Sequence, residues 1–126
     1  MKKLYFLLII AISFATRAQI VNIPDANFKA KLLSASAGNH VASTESASYN
    51  TQYGLYIPPI YSSIDINGDG EIQISEAQVI KWLYLDTSID YSPGNFASMT
   101  GIEAFSNLEF LYVNSNLVSS FNLHNN

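Results

Sequence analysis

The chain has 126 residues and a mass of 13.9 kDa, room for one small domain. Charged residues make up only 13% and cysteine is absent, which excludes a disulfide framework and a thiolate zinc site. Six basic residues against ten acidic ones give a formal charge of −4, a balance that suits neither nucleic acid nor anionic lipid.

The chain opens with Met1-Lys2-Lys3 and an apolar run from Leu4 to Ala15, broken only by Ser13. The run is too short to cross a bilayer as a helix. Thr16 and Ala18 are small residues at −3 and −1 of a cut before Gln19. This is the layout of a secretory signal peptide over residues 1–18, rather than of a membrane anchor or a buried helix. Cleavage leaves three lysines against ten acidic residues, a formal −7. The mature chain is expected to be secreted or at the cell surface, with no membrane span and no nucleic-acid partner. An acidic, secreted chain without cysteine needs another staple, and a divalent cation is the natural candidate.

Pro24 and Asp25 suit the start of a helix, with Phe28, Leu32 and Leu33 close to one face and Gly38-Asn39 as its stop. Residues 38–52 are rich in Ser, Thr, Ala and Asn without a period and read as a surface loop. An aromatic stretch from Tyr49 to Tyr61 follows, and Pro58-Pro59 within it favours extended chain. Such a cluster serves either as cover for the core or as a platform for a sugar or a protein partner.

Residues 65–76 fit the pattern D-x-[DN]-x-[DN]-G-x₅-E without a mismatch. Asp65, Asn67 and Asp69 alternate, so three side-chain oxygens can converge. Gly70 supplies the sharp turn. Glu71 contributes its carbonyl, Gln73 acts directly or through water, and Glu76 closes the sphere with both carboxylate oxygens. The pattern marks a calcium loop; a bare surface Asp-Gly turn would not require all of it. Ser75-Glu76-Ala77-Gln78 reads as a capping box opening a short exiting helix to about Ile80. Pro58-Pro59 stands close to where an entering helix would lie, so a static staple is expected rather than a switch.

Two strings then align position by position: Trp82-Leu83-Tyr84-Leu85-Asp86 and, 28 residues later, Phe110-Leu111-Tyr112-Val113-Asn114. The second continues Leu108-x-x-Leu111-x-Val113-x-x-Asn116, the opening of a leucine-rich repeat. The excess over a 22-residue repeat implies an insertion near residues 91–96.

With the Ile-Pro-Asp-Ala-Asn-Phe segment at 23–28 and the Asn-Gly-Asp-Gly-Glu-Ile loop at 67–72, the chain resembles the N-terminal part of secreted bacterial leucine-rich-repeat proteins of the internalin-like class. The resemblance covers nearly all of the chain except residues 38–62. It implies a binding or adhesion scaffold for an extracellular protein or glycan. The expected fold is α+β: a small helical calcium-loop cap over 19–81, then the first turns of a leucine-rich-repeat solenoid over 82–126. Its ending at Asn126 reads as that of a truncated product or fragment.

In that register Leu83, Leu85, Leu111 and Val113 face inward. Trp82 with Phe110, Tyr84 with Tyr112, and Asp86 with Asn114 form three exposed columns, a candidate partner face. No enzyme is expected. His40 and His124 lie far apart, no G-x-S-x-G is present, and nothing supports Glu103 and Glu109 as a catalytic pair. The rival binding function is a dockerin-like docking module, although dockerins carry two loops that usually lack a closing Glu.

Overall fold

The computed structural model describes residues 18–86, 95–114 and 117–119. The apolar leader, most of the expected insertion near 91–96 and the last seven residues lie outside them.

Helix α1, Ala26–Leu33, begins where Asp25 supplies its cap. Asp25 Oδ1 accepts the N–H groups of Asn27 and Phe28, each at 3.0 Å. These are orphan donors of the first turn. Phe28 and Leu32 are fully buried. Lys31, also buried, donates from Nζ to the carbonyl of Asp86 at 3.1 Å and so ties the helix to the end of a distant strand. Ser34 ends the helix, its hydroxyl bonding back to the Lys31 carbonyl at 2.6 Å.

The segment read as a loop supplies strands. β1 is Ala42–Ser43 and β2 is Ser48–Asn50; β3, Leu55–Ile57, pairs antiparallel with β2 as a hairpin. Gly54 takes a φ of 67° in its turn, a conformation that glycine adopts without a Cβ penalty. Helix α2, Ile74–Gln78, leads to β4, Trp82–Asp86; a 3-10 turn at Ile102–Ala104 precedes β5, Phe110–Asn114. The main sheet has the order β1-β4-β5. β1 is antiparallel to β4, whereas β5 is parallel to it with Trp82 opposite Phe110 and Tyr84 opposite Tyr112.

The expected helical cap with a leucine-rich-repeat solenoid is not the architecture that forms. The described residues make a small mixed α/β domain with two helices and two small sheets. The two repeated strings do pair, but they make a single parallel pair, and β1 closes the other edge of β4 in the opposite direction. A solenoid needs at least about three like units stacked in one sense. The N-terminal region is not a helical layer either, since it contributes three of the five strands among the described residues.

One apolar cluster serves both halves of the chain, joining Val21, Ile23, Phe28 and Leu32 to Leu83, Leu85, Phe96 and Phe105. Phe28 and Phe96 meet at 5.1 Å between ring centroids. Leu111 and Val113, expected inside, are half-buried on the β5 edge. Among the described residues no helix is long and apolar enough to cross a membrane.

Candidate functional site

The segment from Asp65 to Glu76 folds around its own side chains. Gly68 and Gly70 adopt φ values of 72° and 78°, which let the backbone turn its N–H groups inward. Asp65 accepts the N–H of Gly68 at 2.7 Å and of Gly70 at 3.0 Å, one on each carboxylate oxygen. Asn67 Oδ1 accepts the N–H of Asp69, and Asp69 Oδ1 that of Glu71. The side chains of Asn67, Asp69 and Gln73 are within hydrogen-bond distance of one another, at 2.8 to 3.2 Å. The Glu71 N–H bond is the main influence holding the Asp69 carboxyl below its ordinary value; the Asn67 and Gln73 amides and the charge of Lys29 act the same way against desolvation.

Glu76 closes the segment. Its Oε1 accepts the N–H groups of Ile66 and Asn67, and its Oε2 accepts that of Gln73 at 3.0 Å. The last bond makes Gln73, not Ser75, the residue that starts α2. A buried carboxylate thus binds the two ends of the loop together. Glu71 points elsewhere: its side chain meets Lys29 of α1 at 2.6 Å.

The outer edge of residues 72–74 is paired from within the chain. Ile20 bridges Gln73, the Val21 N–H donates to the Ile72 carbonyl, and the Ile74 N–H donates to the Gln19 carbonyl, both at 2.8 Å. The loop thus carries the carboxylates of Asp65, Asp69 and Glu76 and the amides of Asn67 and Gln73, whose NH₂ groups both donate to Asp69; oxygen is the donor type that a hard cation takes. Among the described residues no group of three or more His, Cys, Asp and Glu is placed to hold a metal ion.

The second candidate feature is the aromatic face of β4 and β5. The parallel register brings Tyr84 onto Tyr112, with ring centroids 4.5 Å apart and planes 6° from parallel. Trp82 stacks on Phe110 at 5.6 Å and on Tyr84 at 5.7 Å. The three columns are not all exposed, however. Trp82 and Asp86 are each only 3% accessible, and Tyr84, Phe110 and Tyr112 are half-buried, which leaves Asn114 as the open member. Over Trp82 and Phe110 the cover is the β2–β3 hairpin, whose Tyr56 ring lies 6.2 Å from that of Phe110. Trp82 Nε1 donates to the Tyr56 carbonyl at 3.0 Å, and Tyr61 packs 5.7 Å from the Trp82 ring.

Between hairpin and sheet lies a cavity of about 540 Å³. Aromatic rings of Tyr53, Tyr56, Tyr61, Trp82, Tyr84 and Phe110 line most of it, with His40, Asn50, Leu55 and Ile57 completing the wall. The sequence marks the Tyr49–Tyr61 aromatics as a possible platform, but His40 and Asn50 carry no signal of their own. Asn50 reaches the cavity because β2 returns over the sheet, and His40 lies in the wall edge-on to the Tyr61 ring at 4.6 Å. Comparison with known protein families, with curated proteins and with solved structures gives no match for this chain.

Proposed function

We propose that the chain is a secreted or cell-surface calcium-binding module that presents an aromatic face to an extracellular protein or glycan. The observation that supports this reading is the unbroken run of oxygen-bearing side chains at 65–76, in which Asn67, Asp69 and Gln73 lie within hydrogen-bond distance of one another. Asp65, Asn67, Asp69, Gln73 and Glu76 would hold calcium through side-chain oxygens, Gln73 directly or through water, and Glu71 through its carbonyl. Calcium would supply positive charge to a loop that carries the carboxylates of Asp65, Asp69 and Glu76.

The role is that of a staple rather than a switch. A calcium switch opens a helix pair, whereas here α2 spans five residues and the loop edge is pinned by residues 19–21. On this reading the chain binds and does not catalyse. The test is thermal melting with calcium and with chelator. At a free concentration 100 times Kd, binding to the folded state alone adds about 2.7 kcal/mol. For a domain of this size that raises Tm by roughly 10 °C. Superimposed curves would overturn the reading.

A further inference from the structure

We propose that the cavity between the β2–β3 hairpin and the β4–β5 face is a binding site for a neutral saccharide. The proposal deepens the binding-module reading by assigning its ligand class, and it does not depend on the calcium loop being loaded.

The first argument is charge. The chain is acidic overall, yet among the described residues no Asp, Glu, Lys or Arg lines this cavity, and His40 is the one imidazole there. A cationic ligand would lose water there and meet no carboxylate among the described lining residues, and an anionic one no lysine or arginine, a cost that burial makes large. The second argument is surface type. The wall is mostly aromatic, and an aromatic ring face carries a partial negative potential. The C–H face of a pyranose ring is apolar and faintly positive, so it suits such a wall. A volume of about 540 Å³ lies inside the range of small-molecule sites, ~300–1,000 Å³.

The third argument is the polar groups that Asn50, Tyr53 and Tyr56 bring to the cavity. Asn50 Oδ1 is occupied by the N–H groups of Gln52 and Tyr53 in the hairpin turn, at 2.9 and 3.2 Å. That leaves the amide NH₂ of Asn50 to donate elsewhere. Tyr53 and Tyr56, 63% and 50% exposed, bring hydroxyls that can both donate and accept. Uncharged donors and acceptors beside ring faces match a polyhydroxylated ligand. A purely apolar occupant would strip water from these groups without replacing it, which is unfavourable.

Trp82 is the chain's one tryptophan and lines the cavity, so its fluorescence reports occupancy directly. The full chain is titrated, with and without calcium, with neutral gluco-, manno-, xylo- and chito-oligosaccharides. Acidic uronate oligosaccharides, a proline-rich peptide and phosphatidylcholine vesicles serve as comparators. Saturable change of Trp82 emission with at least one neutral oligosaccharide is expected, and none with the comparators. Tyr53→Ala and Tyr56→Ala should each weaken the affinity about tenfold, the loss of one stacked ring. Val79→Ser, outside the cavity, should bind as the parent does.

Should Tyr56→Ala fail to fold, Tyr53→Ala and Tyr56→Phe decide the matter, since the first removes an exposed ring and the second only a hydroxyl. The proposal is overturned if no neutral oligosaccharide is bound, if only a comparator is bound, or if Tyr53→Ala binds undiminished. A chain that melts higher with calcium but takes no neutral saccharide keeps the staple and loses this site. A chain that binds the saccharide while ignoring calcium keeps the site and loses the staple.

Discussion

Asp25 Oδ2 accepts the backbone N–H of Ala97, 72 positions along the chain, at 2.9 Å, and that of Ser98 at 3.0 Å. Its other oxygen caps α1. One carboxylate therefore joins the first helix to the segment that leads into the last strand. Asp25→Ala should cost about 1–2 kcal/mol, the upper end for a lost cap, because the remote bonds go with it. Denaturant unfolding of the two proteins measures the difference. Equal midpoints would show that neither set of bonds matters in solution.

The same carboxylate sets a pH dependence. Desolvation pushes the Asp25 pKa upward, but the N–H bonds from Phe28, Ala97, Ser98 and Asn27 together outweigh it and leave the pKa lowered in the folded chain. A depressed carboxylate pKa contributes stability above its unfolded value, and that stability is lost as pH falls through the folded value. The Tm gap between the parent and Asp25→Ala should be full at neutral pH and should close as pH drops below the ordinary aspartate range. A gap that widens on acidification would mean that the sign assigned here is wrong.

The two carboxylates at the end of the loop should separate cleanly. Glu76 offers side-chain oxygens and bonds to Ile66 and Gln73, whereas the side chain of Glu71 pairs with Lys29 outside the loop. Glu76→Ala should abolish measurable calcium binding and lower Tm even in chelator, since backbone N–H groups lose their acceptor. Glu71→Ala removes a partly exposed ion pair, worth about 0–1 kcal/mol, and should leave calcium binding nearly intact. Calorimetric titration of both variants is the check, and equal losses of affinity would refute the ligand assignment.

How much of this was legible beforehand varies by element, for physical reasons. Asp25 announces its helix because a cap acts within three residues, and the spacing of 65–76 announces its loop because every position has a local role. The pairing of 82–86 with 110–114 follows from like strings aligning. β1, β2 and β3 leave no comparable trace. Strands of two or three residues cannot display a period, and Ser48, Tyr49 and Asn50 are exposed or half-exposed. The leucine-rich pattern misled because it describes what a strand packs with on one side only. Whether a third like strand or an antiparallel one takes the other edge is decided by β1, 40 residues upstream of β4. Trp82 was expected in the open for the same reason: its cover comes from Tyr56 and Tyr61.

Gly101 is a second such long-range constraint, and it is testable. Its φ is 105°, and a Cβ there would fall 2.7 Å from Ile23 Cγ1 and 2.9 Å from the Asn22 carbonyl oxygen. Gly101→Ala combines a strained backbone with a collision against main chain and should destabilise by about 1–3 kcal/mol or more. Gly38→Ala is the control, because its Cβ would meet only Ser36 Oγ at 3.8 Å. Chemical denaturation of both variants should show a large loss at 101 and little change at 38. Similar small losses would mean that the 21–23 segment can move aside.

The stacking of Tyr84 on Tyr112 allows the β4–β5 register to be measured. Ring centroids 4.5 Å apart with planes at 6° place the two side chains in direct contact across a parallel pair. Such pairs contribute about 0.5–1.5 kcal/mol beyond the area that they bury. Tyr84→Ala, Tyr112→Ala and the double variant form a cycle whose interaction term isolates that contact. A coupling in this range is expected, and near-ultraviolet circular dichroism should lose intensity in each single variant. A one-residue slip would carry Tyr112 to the opposite face of the sheet. The coupling would then vanish, so strictly additive losses would show that β5 does not pair with β4 in this register.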